Sequence, residues 1–268
     1  MNKPRIIVIT SGKGGVGKTT VTANLGAAIS KLGKKIVLVD ADFGLRNLDL
    51  LLGLENRVVY TAIDAISGEC RLDQALVKDK RQNGLVLLPA AQNRNKESVT
   101  PNQMRQVIMA LGKVYQYILV DCPAGIEMGF RNAISAAQEA IIVTNPEVTA
   151  VRDADRVIGL LETYGVKKIR LIVNRIKPDM VERNEMMSVE DVLEILAIPL
   201  LGIIPDHQQI IMASNKGEPL VFSDQPSIPS TAFMNIARRL EGENVPILDI
   251  KPKKSIFERI IRFLNRKL

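Results

Sequence analysis

A glycine-rich stretch at residues 12–20, GKGGVGKTT, constrains this chain more than any other feature. It follows an apolar run at 6–9 and leads into a helical pattern, the order of strand, loop and helix that a phosphate-binding loop requires. Glycines let the backbone wrap closely round a polyphosphate, and successive N–H groups and the helix N-terminus then face the anion. The spacing G-x-x-x-x-G-K-[ST] is met by Gly12, Gly17, Lys18 and Thr19.

This spacing predicts the role of each loop residue. We expect Lys18 to reach the β- and γ-phosphates of a nucleotide and the Thr19 hydroxyl to ligate Mg²⁺. The alternative is a glycine-rich turn before a helix, and the matching order of elements argues against it. The predicted contacts to the nucleotide are Gly12, Lys13, Gly14, Gly15, Val16, Gly17, Lys18, Thr19 and Thr20.

Short apolar runs alternate with longer helical patterns along the rest of the chain. The runs are near-continuously apolar and rich in β-branched residues, as in strands buried on both faces of a parallel sheet. We therefore predict an α/β, doubly wound, mainly parallel sheet flanked by helices on both faces. The predicted strands are 6–9, 36–39, 85–88, 118–120, 141–143, 171–173 and 200–204. The predicted helices are 19–32, 101–114, 129–137, 148–164, 189–196 and 228–240.

Acidic residues follow two of the predicted strands. Asp40 and Asp42 come after the run at 36–39, and Asp121 ends the run at 118–120. Ligands bind at the carboxyl ends of the strands in such folds. Asp121 has the position of a Walker B residue, so we predict that it helps to hold Mg²⁺ with Asp40 in support. Asp42 is predicted to orient the attacking water. On spacing alone, these side chains are also compatible with turn caps or solvated loop acids.

The motifs resemble those of the MinD/ParA ATPases, and the resemblance covers essentially the whole chain. The segment KGGVGKTT at 13–20 is similar to the deviant Walker A signature of that family. This similarity implies a P-loop NTPase fold. The segments VDADFGLRNLD at 39–49 and DCPAGIE at 121–127 are similar to its members that place the division site. So are TNPEV at 144–148 and SVEDVL at 188–193.

The resemblance implies further roles. Lys13 would be the signature lysine that reaches the partner's phosphates in an ATP-sandwiched homodimer, so that Lys13, Lys18 and Asp42 are the predicted catalytic residues. Asn174 would read the adenine, and Pro205 and Asp206 would lie against it. The family often has Glu where this chain has Asp206. A MinC-like division inhibitor and a MinE-like ATPase activator are the implied partners, and ATP/ADP and Mg²⁺ are the implied ligands.

The positive charge lies almost entirely at the C-terminus. The chain has a net charge of +7, and its last eighteen residues hold seven basic residues and one acid. Residues 1–250 are therefore close to neutral, which argues against a broadly basic nucleic-acid-binding body and makes nucleic acid an improbable partner. We predict two parts, an ATPase domain at 1–250 and a tail at 251–268.

The tail has the pattern of an amphipathic helix. One face is apolar, and the other carries Arg259, Arg262, Arg266 and Lys267. A helix of this length is too short to cross a bilayer, so we predict reversible binding to an anionic lipid surface. A helix docked on its own domain and a helix in a partner's groove are the alternatives. The predicted membrane residues are Ile256, Phe257, Ile260, Ile261, Phe263 and Leu264.

Together these features predict an ATP-dependent dimer that binds the membrane and recruits a division inhibitor. The apolar run at 6–9 is shorter than a secretory core, so we expect a cytoplasmic protein, peripheral on the cytoplasmic face of the cell membrane. The alternative within the family is a partitioning ATPase of the ParA type that binds non-specific DNA. A cluster carrier is disfavoured because Cys70 and Cys122 form no ligand pair. A scaffold that binds nucleotide without hydrolysing it stays open.

Overall fold

A single eight-stranded sheet forms the centre of the computed structural model, which describes residues 3–91 and 99–250. The strands are β1 (Arg5–Thr10), β2 (Ile36–Asp40), β3 (Val77–Lys78), β4 (Leu85–Leu88), β5 (Tyr117–Asp121), β6 (Glu139–Thr144), β7 (Lys168–Ile176) and β8 (Leu200–Pro205). Their order is β3-β4-β2-β5-β1-β6-β7-β8, and every neighbouring pair is parallel except β3 with β4. The predicted doubly wound fold is confirmed, and all seven predicted runs are strands. The sequence analysis missed β3, which has only two residues.

The helices cover both faces of the sheet. They are α1 (Lys18–Lys31), α2 (Leu48–Leu51), α3 (Ala62–Ser67), α4 (Pro101–Leu111), α5 (Met128–Ile134), α6 (Val148–Thr163), α7 (Pro178–Glu182), α8 (Val189–Leu196), α9 (Gln208–Asn215) and α10 (Ile228–Leu240). The bounds of α8 and α10 agree with the prediction, whereas α4 and α5 each end three residues earlier. The helices α2, α3 and α7 were not predicted, because so few turns give little periodicity. Helix α9 was also missed, although it is as long as α8.

The side chains of each strand point alternately to the two faces of the sheet and belong to two apolar clusters, one on each face. Along β1, Ile6 and Val8 belong to the first cluster, and Ile7 and Ile9 belong to the second. The first cluster is packed chiefly by α4, α5, α6 and α8, and the second by α1 and α10. Burial on both sides explains why the strands are continuously apolar.

The strand order places a crevice next to β1. Strand β1 lies between β5 and β6, so the chain winds away from β1 in both directions. Open parallel sheets bind ligands at the carboxyl ends of the strands beside such a switch point. The glycine-rich loop at 12–17 connects β1 to α1 and therefore lies at this position.

The last described residues pass beside β8, at the edge of the sheet. Arg239 of α10 donates to the carbonyl oxygens of Leu201, Val245 and Pro246. Leu248 packs against the second cluster and Ile250 against the first. We call residues 245–250 the strap.

Of the helices in the described ranges, none is long and apolar enough to cross a membrane. The predicted amphipathic helix, with its six membrane residues Ile256, Phe257, Ile260, Ile261, Phe263 and Leu264, lies outside the described residues. The division of the chain at residue 250 therefore stays a prediction.

Candidate nucleotide site

The loop between β1 and α1 is held in a conformation that its glycines allow. Gly17 is the N-cap of α1 and has φ 98°, in the left-handed region where a side chain would be strained. A Cβ atom at Gly17 would lie 2.4 Å from Asn174 Nδ2, and one at Gly12 would lie 2.1 Å from the carbonyl carbon of Asp153 in α6. The loop is thus pressed against α6 on one side and β7 on the other.

Two buried amide side chains support the loop from beneath. Asn174 Nδ2 donates to the carbonyl oxygen of Val16 at 2.7 Å. With its amide nitrogen turned inward, Asn145 donates to the same oxygen at 3.2 Å and to the carbonyl of Asn174 at 3.3 Å. Asn174 was predicted to read adenine. Its observed contact braces the loop, and the adenine contact stays a prediction.

Lys18 and Thr19 begin α1 close to the end of β5. Lys18 is buried, and its positive charge acts on Asp121. The side chain of Thr19 is hydrogen-bonded to Asp121, and Thr22 Oγ1 donates to Asp121 Oδ1 at 2.8 Å. Sequence reasoning missed Thr22, although it lies one helical turn after the loop on the same side of α1 as Thr19. Asp121 is therefore held by the first turn and a half of this helix.

Asp40 and Asp121 lie opposite each other at the ends of neighbouring strands. The β2–β5 register pairs their Cα positions, and both side chains are almost completely buried. Asp40 accepts backbone N–H groups from Asp42 at 3.0 Å and Leu48 at 3.3 Å. Burial, with the charge of Asp121, raises the pKa of Asp40 to about 8. Burial also raises the pKa of Asp121 to about 6, against the lowering effects of Thr22, Thr19 and Lys18.

The two carboxylates are buried side by side, with Lys18 as the positive charge that acts on Asp121. More positive charge would offset the cost of burying them. A divalent cation beside Asp121 and the Thr19 hydroxyl would supply it, and carboxylate and hydroxyl oxygens suit Mg²⁺. Among the described residues there is no group of three acidic, histidine or cysteine side chains able to hold a metal alone. The donor set therefore fits an ion that takes its other ligands from phosphate and water, as Mg²⁺ does at nucleotide sites. Asp40 also holds the backbone at residues 42 and 48, and its predicted support of Mg²⁺ stays a prediction.

Asp42 lies beyond Asp40, where the chain leaves the sheet. It is partly buried and lines a cavity of about 40 Å³ between the β2 loop and the segment after β5. Pro123, Ala124 and Glu127 of that segment contribute to the same cavity. The loop after β2 and the segment after β5 therefore line one cavity, and a role for Asp42 in positioning water stays a prediction.

Lys13 stands apart from the buried part of the site. Its side chain is 44% exposed, and Nζ lies 3.4 Å from Glu147 Oε2 and 3.2 Å from Thr149 Oγ1. Both partners belong to the start of α6, across the crevice. Sequence reasoning did not identify Glu147 or Thr149, since the contact is made only by the fold.

Pro205 and Asp206 lie at the end of β8, near the end of β7. Asp206 N–H donates to the carbonyl of Ile176 at 2.9 Å, and Lys177 Nζ lies 3.2 Å from Asp206 Oδ2. His207 caps α9 by accepting the N–H of Gln209 through Nδ1. The backbone of 205–206 is thus fixed at the sheet edge that carries the loop, and its contact with adenine stays a prediction.

Comparison with known proteins gives matches over nearly the whole chain. Residues 7–220 match the CobQ/CobB/MinD/ParA nucleotide binding domain. The septum site-determining protein MinD of Synechocystis sp. is 64% identical over 261 residues, covering 97% of this chain and 98% of that protein.

Two solved structures extend this comparison. A MinC:MinD cell division protein complex from Aquifex aeolicus matches with a TM-score of 0.86 and 50% identity, over 92% of this chain and 100% of that one. A septum site-determining MinD from Pyrococcus horikoshii, complexed with Mg-ADP, matches with a TM-score of 0.81 and 34% identity, over 89% and 96%.

Proposed function

Because the chain belongs to the CobQ/CobB/MinD/ParA family and, within it, to the septum site-determining MinD ATPases, we propose that it hydrolyses ATP as a Mg²⁺-dependent dimer and cycles on and off the membrane. In this proposal ATP joins two copies through their loops. The dimer then holds two lipid-binding tails and recruits a division inhibitor that restricts where the septum forms.

The observation that carries the proposal is the contrast between the two loop lysines. Lys18 is 7% exposed at the start of α1, where it can serve only its own loop. Lys13 is 44% exposed at the mouth of the crevice and has no anion of its own loop as partner. An exposed cation on a phosphate loop is suited to reach the phosphates bound by a second copy.

The residues at the site support phosphoryl transfer to water. Such a reaction depends on positioning and on stabilising charge around the γ-phosphate, without a covalent nucleophile. Lys18 and the loop amides would bind the phosphates, and Asp42 would orient the attacking water. Thr19 and Asp121 would hold Mg²⁺, which neutralises charge on the phosphates. Lys13 from the partner would act as an arginine finger does elsewhere.

Membrane binding is proposed from the pattern of residues 251–268. A single short amphipathic helix gives marginal binding, with about 1 kcal/mol per basic residue near an anionic surface. Two helices on one dimer gain roughly 10²–10⁴ in avidity when both can bind at once. Dimerisation by ATP would therefore control whether the protein is held at the membrane.

The partners follow from the relatives. The Aquifex aeolicus structure contains MinC with MinD, so we propose a MinC-like inhibitor as a partner here. A MinE-like activator, which would stimulate hydrolysis and release the dimer, is proposed from the family resemblance. The proposed location is the cytoplasm, with peripheral binding to the cytoplasmic face of the cell membrane.

Sedimentation with anionic liposomes tests this proposal. The intact chain, Lys13→Ala and a chain ending at residue 250 are each spun with ATP, ADP or no nucleotide. We expect sedimentation only of the intact chain and only with ATP, because both the dimer and the tails are required. Lys35→Ala, an exposed lysine at the opposite edge of the sheet, serves as the control and should behave as the intact chain.

Two results would contradict the proposal. Equal sedimentation of the shortened chain would show that the tail is not the anchor. Equal sedimentation in ADP would show that nucleotide does not control binding. A salt-sensitive DNA shift by the shortened chain would favour a partitioning ATPase instead.

A further inference from the structure

An apolar groove runs along the first-cluster face of the sheet, next to the strap. It has a volume of about 520 Å³ and lies between α7, α8, β8 and residues 247–250 of the strap. Val189 and Leu193 of α8 are only partly buried in it, and both pack on the first cluster, as does Ile250. The groove therefore presents hydrophobic side chains that are not fully covered by the described residues.

The elements that form one wall of the groove are strongly acidic. Residues 178–197 contain six acidic residues and one basic residue, a net charge of −5, although residues 1–250 as a whole are close to neutral. The one basic residue, Arg183, is already paired with Asp179 at 3.4 Å and Glu185 at 2.9 Å. Glu182 and Glu190 line the groove itself and are exposed.

The chain enters this groove immediately before the tail begins. Ile247, Leu248, Asp249 and Ile250 all line it, and the tail starts at residue 251. A segment attached at the rim of a site has a high effective concentration there, because its binding is intramolecular. The tail carries a net charge of +6, and as the predicted helix it would present one apolar face, so it matches the groove in both charge and hydrophobicity.

We propose that, in the absence of lipid, residues 256–264 of the same chain dock in this groove. Their apolar face would cover Val189 and Leu193, and their basic residues would lie near Glu182 and Glu190. The same apolar face is required for lipid binding, so groove and membrane compete for it. The competition between groove and membrane rests on the proposed membrane binding, whereas the docking itself does not. The apparent affinity of the tail for lipid then falls in proportion to the fraction of chains that are docked.

A single tryptophan reports on docking, because the chain contains none. Phe257→Trp is prepared in the full-length chain, and its emission and quenching by acrylamide are measured without lipid at low and high protein concentration. We expect blue-shifted emission and protection from acrylamide, both independent of concentration.

Two groove variants and one matched control complete the test. Adding Glu190→Lys should lower the ratio of docked to free tail about fivefold, since a charge pair is replaced by repulsion. Adding Leu193→Asp should abolish the protection. Asp224→Lys, which removes an exposed acid near the opposite face, should leave it unchanged. ATP turnover of each variant monitors the fold, so loss of protection in Glu190→Lys with normal turnover reports on the groove.

The outcomes separate this inference from the proposed function. Emission typical of exposed tryptophan in the parent, or protection that survives both groove variants, would overturn the docking. So would protection that grows with protein concentration, which would assign the tail to a second copy. With anionic liposomes in ADP, Glu190→Lys should sediment more than the parent. Failure to bind liposomes in any nucleotide state would count against the membrane proposal while leaving the fluorescence result intact.

Discussion

Two lysines five positions apart serve the glycine-rich loop from opposite surroundings. Lys18 is fixed in the buried start of α1, whereas Lys13 rests on Glu147 and Thr149 at the surface. An exposed ion pair of this kind contributes little free energy, so Lys13 is readily released toward a phosphate group. Lys18 is thus placed to hold a nucleotide in its own loop, and Lys13 is placed for the proposed contact with a nucleotide bound by a partner.

Lys13→Ala tests this separation. We expect ATP binding to be retained, because the buried loop contacts do not involve the Lys13 side chain. The rise of turnover with protein concentration should be lost, with turnover of the dimer falling roughly 10³-fold if Lys13 acts as a finger in trans. Binding of a fluorescent ATP analogue and turnover over a concentration series measure the two effects. Turnover that still rises as in the parent would exclude the role in trans.

Asn174→Ala tests the brace beneath the loop. Removing the amide takes away the 2.7 Å donor to the Val16 carbonyl and leaves it only the 3.2 Å donor Asn145, which costs about 0.5–1.5 kcal/mol in the free energy of unfolding. We expect binding of ATP and GTP analogues to weaken together, because the brace positions the phosphate loop. Denaturant titration and nucleotide titrations measure these effects. Weakening confined to adenine nucleotides would show that base contact, and not the brace, is the main role.

Among the elements, β1, β6 and β7 are joined by charges at the edge opposite the nucleotide site. Glu139 at the start of β6 makes a 2.6 Å ion pair with Arg5 of β1 and a 3.5 Å pair with Arg170 of β7. Burial acts to raise the pKa of Glu139, but the hydrogen bonds and charge of Arg5, followed by Arg170, hold it below its usual value. Ion pairs of Glu139 thus connect three strands at the end of the sheet opposite the nucleotide site.

Glu139→Gln should destabilise the fold in a pH-dependent way. Because the folded-state pKa of Glu139 is lowered, its contribution is fully present above the unfolded pKa of about 4.5 and is lost as pH falls through the folded value. At neutral pH we expect a loss of about 1.5–3 kcal/mol, typical of hydrogen bonds to a charged group. Denaturant unfolding at neutral and acidic pH measures the difference.

A matched control is available in the exposed pair Arg71–Asp73. Its carboxylate also has a lowered pKa, yet both side chains are mostly exposed. Asp73→Asn should leave the free energy of unfolding unchanged at either pH, because solvent screens the pair. A pH-independent effect of Glu139→Gln, or an equal effect of Asp73→Asn, would contradict the role assigned to burial.

The elements also show what the sequence can and cannot predict. Strands buried on both faces are recognisable as continuous apolar runs, so seven of them were found. Six of the helices were found from their periodicity. The pairing of Asp40 with Asp121 depends on the β2–β5 register, which joins residues 81 positions apart and leaves no local pattern. Three other contacts could not be predicted for the same reason, because each joins residues far apart in the chain: Thr22 with Asp121, Asn174 with Val16, and Lys13 with Glu147. The spacing of the loop residues predicts a phosphate ligand. The contacts that hold the loop in place are formed only by the fold and cannot be predicted from that spacing.

At the scale of the whole molecule, the strap belongs to the folded body, and we predict that the boundary of that body lies after the strap. Arg239 holds Val245 and Pro246 through their carbonyl oxygens, and Leu248 and Ile250 pack on opposite apolar clusters. The strap therefore connects the two faces of the sheet around β8.

Two truncations test this boundary. A chain ending at residue 250 keeps the strap and should lose only the contribution of the docked tail to the free energy of unfolding. A chain ending at residue 243 should lose about 1–3 kcal/mol, because it loses the partly buried Leu248 and Ile250 and leaves Arg239 without two acceptors. Equal stability of the two shortened chains would show that the strap is not part of the fold.

The strap and the two-residue strand β3 have a further consequence for a protein proposed to gather on a surface. Unpaired strand edges are templates for sheet-to-sheet association, and the risk rises with local crowding. Here one edge of the sheet is the very short, antiparallel β3 with an exposed Lys78, and the other has the strap beside it. Neither edge offers a long flat strand to a neighbour. If copies of the chain gather on a lipid surface as proposed, we therefore expect little irreversible aggregation through the sheet edges.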